Sequence, residues 1–176
     1  MKPAYENPQH NIQIFKEVFK SAGLDWSVIG GIAAIAARAK KRETVDVDFV
    51  VSELKYLEVR LRSTTNPNKF RILTERDGTA YLIQGETSDG MHFDIYIAGT
   101  DFERAVLETS DTDHIASPEA IIVYKLMAMR PQDVDDIRSI LLAHPNMKGL
   151  DKKFLDYWIE SCGVTREWKT IVSSSK

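Results

Sequence analysis

A glycine pair, Gly30-Gly31, separates a short apolar run, residues 26–29, from an alanine-rich segment over residues 32–41. No other feature constrains the fold so strongly. The apolar run reads as a buried strand entering a tight turn, and the segment after it as a helix with basic residues at its end, where they complement the helix dipole. Glycines between a strand and a helix let the backbone approach a phosphate closely, and the helix amino terminus favours the anion. A tight turn or a close helix-to-sheet contact explains the same pair without a ligand.

Residues 45–51 (VDVDFVV) are β-branched and read as the next strand. Side chains alternate faces along a strand, so Asp46 and Asp48 project to one side while Val47 and Phe49 point into the core. Two carboxylates on one face repel each other unless a cation sits between them. Hard oxygen ligands of this kind suit Mg²⁺, which takes few carboxylates plus waters and substrate phosphates. Two solvent-facing aspartates on an edge strand are the alternative. Residues 91–97 (MHFDIYI) alternate as a further strand, in which Phe93 and Ile95 flank Asp94. If that strand neighbours 45–51, three carboxylates converge below the glycine turn. Such a set can hold metal ions and deprotonate an incoming hydroxyl.

The remaining pattern supplies the frame. Residues 11–22 place Ile12, Phe15, Val18 and Phe19 at helical spacing, ended by Gly23. Residues 54–62 read as helical. Residues 70–73 and 80–84 pair around Asp77-Gly78. After Ala98 only helices are expected, over 102–107, 118–129, 134–144, 151–162 and 165–172, with Ser117 capping and Pro118 opening the second. The expected fold is α/β (α+β): a mixed sheet flanked by helices, with a helical carboxy-terminal lobe. The expected division is 1–100 as catalytic core and 101–176 as lobe, with a soft boundary inside one compact unit.

Composition narrows the function. The chain has 176 residues, 43% hydrophobic and 28% charged, which excludes disorder, collagen and disulfide-stapled scaffolds. The net charge of −3 argues against a long nucleic-acid footprint, although residues 38–42 (RAKKR) leave a local patch against one RNA end open. The longest apolar run, 28–37, is shorter than the roughly 20 residues a bilayer span needs, and the polar, prolyl start lacks the layout of a secretory signal. A single cysteine, Cys162, rules out an internal disulfide and argues for a reducing compartment. No membrane partner and a cytoplasmic location are expected.

The order Gly30-Gly31, helix, Arg42-x-Thr44-x-Asp46-x-Asp48-Phe49, then Phe93-Asp94-Ile95 resembles the nucleotidyltransferase superfamily related to DNA polymerase beta. Ile115-Ala-Ser-Pro-Glu119, Lys125-Leu126, Arg130, Asp133 and Asp136 resemble its AbiEii branch, which includes type IV toxins. The resemblance spans residues 26–142. It implies that Asp46 and Asp48 coordinate Mg²⁺ (or Mn²⁺) and that Asp94 completes the metal site and acts on the acceptor hydroxyl. It implies too that Gly30 and Gly31 cradle the β- and γ-phosphates of a nucleoside triphosphate, and that Lys125 neutralises triphosphate charge. Many relatives carry serine where this chain has Gly31; the Gly-Gly form occurs among lincosamide and aminoglycoside adenylyltransferases and tRNA-end-adding enzymes.

Each further candidate has two readings. Lys125 is a phosphate ligand or a lysine snorkelling along an apolar helix. Arg130, Asp133 and Asp136 line the cleft or form surface ion pairs of little worth. Arg42 and Thr44 touch phosphate or are merely solvated. His92 reads as solvated, Trp158 and Trp168 as core, and Cys162 as an unactivated thiol. The leading functional expectation is transfer of a nucleoside monophosphate to a hydroxyl on RNA or protein, as a toxin with a cognate antitoxin. A small-molecule adenylyltransferase and a non-catalytic nucleotide- or partner-binding module are the alternatives.

Overall fold

In a computed structural model the described residues are 8–38, 40, 44, 46–54, 57, 61, 71–87 and 90–173. Strands β1 (Trp26–Ile29), β2 (Val47–Val51), β3 (Arg71–Thr74), β4 (Ala80–Glu86) and β5 (His92–Ile97) form one sheet in the order β1-β2-β5-β4-β3. β2 and β5 run parallel, and every other neighbouring pair is antiparallel. Around the sheet lie α1 (Pro8–Ala22), α2 (Gly30–Ala37), α3 (Asp101–Thr109), α4 (Pro118–Ala128), α5 (Pro131–Ala143), α6 (Lys152–Ser161) and α7 (Thr165–Ser173). The mixed sheet and the carboxy-terminal helices are the expected architecture.

Strand alternation divides the core in two. Val47, Phe49 and Val51 of β2 and Phe93 and Ile95 of β5 point to the α1 side, where they meet Phe15, Val18 and Phe19. The rings of Phe15, Phe49 and Phe93 interlock with centroids 5.0 and 4.8 Å apart. Gly23 at φ 69° ends α1, and the Leu24 amide returns to the Phe19 carbonyl. On the opposite face Ile29 and Val50 join Ala33, Ile121, Ile122, Leu126, Ile137 and Leu155 of the helices. The carboxylate face therefore does not meet open solvent as an edge strand would. It passes under the helical lobe, and a cleft is left where the two meet.

The bounds of α2 and β2 differ from expectation. α2 starts at Gly30 itself and ends at Ala37, not at residue 41. Arg38 turns extended (φ −103°, ψ 155°), held away from the helix by an ion pair to Asp136 at 2.7 Å, and the Lys40 amide donates to Ser139 Oγ at 3.0 Å. The basic residues thus tie α2 to α5 and leave the last turn of α2 without a cation. β2 begins at Val47, so Asp46 precedes the strand. The helix expected over 54–62 shows helical residues at Leu57 and Leu61, both fully buried, and its centre and end lie outside the described residues.

Candidate active site

The site follows from register. Ile29 pairs with Asp48 and Asp48 with Asp94, while Gln84 pairs with Asp94, so one row crosses four strands. Gly30 follows directly at the end of β1. Gln84 Nε2 donates to Asp94 Oδ1 at 3.0 Å, which fixes that carboxylate's orientation. Asp46, exposed just ahead of β2, stands two residues from Asp48. Gly30, Gly31, Thr44, Asp46, Asp48, Asp94 and Lys125 all line one cleft of about 790 Å³. Arg42 lies outside the described residues. Thr44 Oγ1 donates within its own loop, to the Asp46 carbonyl at 3.5 Å.

The glycine pair holds the Asp48 carboxylate. Gly30 adopts φ 62°, and a Cβ there would overlap that carboxylate. The Gly31 amide donates to Asp48, so the acidic side chain lies at the amino end of α2, where the dipole favours negative charge. Even so, burial foremost, and then the neighbouring charges of Asp94 and Asp46, push the Asp48 carboxyl up to about 6 from 3.8. The Gly31 bond and the charge of Lys125 only partly oppose this. Among the described residues the site is short of positive charge.

Among the described residues no three His, Cys, Asp or Glu side chains stand close enough together to hold a metal ion as they are. The donor set nevertheless fits a hard divalent cation. Its carboxylate donors are hard oxygens, the two of Asp48 and Asp94 share a face on adjacent parallel strands, and the burial and neighbouring negative charge that raise the Asp48 carboxyl are costs that a cation would offset.

The helical wall corrects the snorkelling reading of Lys125. Its ammonium is buried and bonds Asp133 Oδ1 and Asp136 Oδ2, each at 2.8 Å. It does not snorkel into water. Asp133 and Asp136 are likewise buried, which corrects their reading as surface ion pairs. Arg130 closes the cluster, its Nε 2.7 Å from Asp133 Oδ2. Burial raises the Asp133 carboxyl, but the bonds from Arg130 and Lys125 outweigh it and hold it below its ordinary range. Sharp turning at Met129 (φ 49°) brings α4 and α5 together and makes the cluster. Removing one partner of a buried pair strands the other, so Lys125→Met should cost about 3–5 kcal/mol in urea unfolding.

No protein-family model and no curated protein matches the sequence. Solved structures do match in shape. ANT(2")-Ia in complex with adenylyl-2"-tobramycin superposes with a TM-score of 0.56 at 15% identity, covering 86% of this chain and 97% of that one. JHP933 from Helicobacter pylori gives 0.52 at 18% identity over 93% of this chain and 76% of its own. An antigenic nucleotidyltransferase-like protein from Paracoccidioides brasiliensis gives 0.50 at 16% over 93% and 91%. This is the nucleotidyltransferase fold.

On this fold the cleft has walls that motif reading did not single out. Gln84, Tyr96, Glu103, Tyr124 and Met127 all line it. Gln84 and Tyr96 were within reach of sequence reasoning, because both follow from strand alternation once β4 and β5 are paired. His92 also lines the cleft, exposed and 3.8 Å from Glu86. Trp158 and Trp168 pack against the helical core as expected. Burial raises the Cys162 thiol above its ordinary pKa, in keeping with an unactivated cysteine.

Proposed function

We propose that this protein is a divalent-metal-dependent nucleotidyltransferase that moves a nucleoside monophosphate from a nucleoside triphosphate to a hydroxyl acceptor. The observation that carries this reading is the in-register Asp48–Asp94 pair beside the glycine pair, at the base of a cleft large enough for a nucleotide. Asp46, Asp48 and Asp94 would hold the cation, Mg²⁺ or Mn²⁺. When bound, it supplies charge stabilisation to the entering and leaving oxygens.

Asp94, oriented by Gln84, accepts the proton of the acceptor hydroxyl. The hydroxyl oxygen attacks the α-phosphorus, the bond to the β-phosphate oxygen breaks, and pyrophosphate leaves. Gly30 and Gly31, at the amino end of α2, bind the β- and γ-phosphates, and Thr44 and Arg42 contribute beside them. Lys125 acts from within its ion cluster, lowering the negative potential of the cleft floor. Positioning and electrostatics therefore do most of the work. Residues 1–100 would form the catalytic core, with 101–176 as the lobe that roofs it.

The acceptor has two readings. The motif order that resembles AbiEii toxins favours RNA or protein, with a cognate antitoxin and a cytoplasmic site of action. The acidic net charge and the shape shared with a protein solved in complex with adenylyl-2"-tobramycin favour a small molecule. Incubation with each α-labelled triphosphate, Mg²⁺ and cell extract, then separation of RNA, protein and small molecules, tests both. Label should enter one fraction and be lost with Asp46→Ala and Asp94→Ala variants that remain folded. Label persisting in both variants would refute the assigned site.

A further inference from the structure

One ion network joins α2, α4 and α5 through charges that alternate along it. Arg38, just past the end of α2, donates from Nη1 to Asp136 Oδ1 of α5 at 2.7 Å, and the other oxygen of that carboxylate takes Lys125 Nζ of α4 at 2.8 Å. Lys125 continues to Asp133, and Asp133 to Arg130. The side chains of Arg38 and Asp136 are 8% and 1% exposed, so water and salt screen this end of the network little. Lys125 lines the cleft and Arg38 does not. Among the described residues three cations, Arg38, Lys125 and Arg130, thus share two carboxylates, Asp133 and Asp136, which leaves a surplus of one positive charge. Without Arg38 the balance would be zero.

Resting on the nucleotidyltransferase reading, we infer that Arg38 is a positioning residue for the triphosphate: by sharing Asp136 it keeps Lys125 from being neutralised, so that the cleft-lining ammonium can attract phosphate. A surplus charge in a buried cluster is costly unless something compensates it, and a polyanion in the cleft is such a compensation. Two N–H groups of Lys125 go to Asp133 and Asp136, and the third is left for a phosphate oxygen. The charge of Lys125 already acts on Asp48 at the cleft floor. Arginine suits this place because it keeps its charge when buried, where lysine readily gives up a proton. A mere tie between α2 and α5 would not need that charge, and the bond from the Lys40 amide to Ser139 Oγ at 3.0 Å provides an uncharged one nearby.

Arg38→Gln removes the charge and keeps an amide donor. Combined with Asp136→Asn it removes both charges and returns the surplus to one. Binding of inorganic tripolyphosphate and of the four nucleoside triphosphates, each with Mg²⁺, is measured by calorimetry for parent and variants, with thermal unfolding alongside. Arg38→Gln should weaken tripolyphosphate about tenfold, the order of one unit charge acting inside a protein. The double variant should recover most of that loss although it has no ion pair at this place. Equal weakening in both variants overturns the inference, because the loss then follows the broken tie and not the charge. Unchanged binding in Arg38→Gln overturns it as well. If Arg38→Gln does not fold, Asp136→Asn alone raises the surplus to two and should tighten tripolyphosphate by a similar factor; unchanged or weaker binding there refutes the charge account. A parent that binds neither tripolyphosphate nor any nucleotide sinks the nucleotidyltransferase reading itself, and this inference with it.

Discussion

Asp48→Ala is expected to lower nucleotidyl transfer by at least about 10³-fold, the scale of losing a preorganised charge at a reacting centre, while the protein becomes more stable. The reason is the same in both cases. Asp48 is buried beside Asp94 and Asp46, and its carboxyl rises to about 6 against 3.8 when unfolded. Between those values the native state keeps a proton that the unfolded state has released. Stability therefore falls as pH rises from 3.8 towards 6, and above that the ionised carboxylate costs up to about 3 kcal/mol at 1.36 kcal/mol per pKa unit. Asp48→Asn, which keeps the shape, isolates the charge effect. Its Tm should exceed the parent's at pH 8 and converge with it at pH 3.5. Mg²⁺ should raise the parent's Tm and leave the Asn variant nearly unchanged. A variant less stable than the parent at pH 8 would contradict the strained-carboxylate account.

Gly30→Ala should be the most damaging substitution of a residue without a functional group. Its cost has two parts. A non-glycine residue at φ 62° stores strain on the order of 1–3 kcal/mol, and its Cβ would overlap the Asp48 carboxylate. Relief of that overlap moves Asp48 off the Gly31 amide and out of register with Asp94. Transfer should fall by about 10²-fold or more, the penalty for misplacing a reacting group by around 1 Å. Gly31→Ala, at a position with ordinary backbone angles, should retain more activity. Thermal unfolding together with turnover separates strain from misplacement: Gly30→Ala loses both, and an activity loss without a stability loss would leave the overlap as the sole cause.

The sheet half of the site was legible because a strand carries its own ruler. Val47 and Phe49 alternate with Asp46 and Asp48, Phe93 and Ile95 bracket Asp94, and hydrophobicity alone sorts the two faces. The pairing of Asp48 with Asp94 is a fact of topology that no local pattern states, and the parallel β2–β5 register supplies it. The helical half resisted for a different reason. Asp133 and Asp136 sit at a spacing common on exposed helix faces, and Lys125 sits among aliphatics where snorkelling is the ordinary outcome. Their burial comes from the Met129 turn and from Arg38, 98 residues earlier in the chain than its partner Asp136. The same contact explains why α2 stops at Ala37 although the sequence beyond it remains suited to a helix.

The most direct test of the central claim follows two labels on one nucleotide. The protein is incubated with Mg²⁺, cell extract and the preferred triphosphate, labelled in parallel on the α- and on the γ-phosphate. Nucleotidyl transfer predicts α-label covalently attached to the acceptor and γ-label released in pyrophosphate, with both lost in Asp48→Asn. γ-label on the acceptor, or neither label moved while the triphosphate stays bound, would contradict it: the first outcome makes the protein a phosphotransferase, the second a nucleotide-binding module.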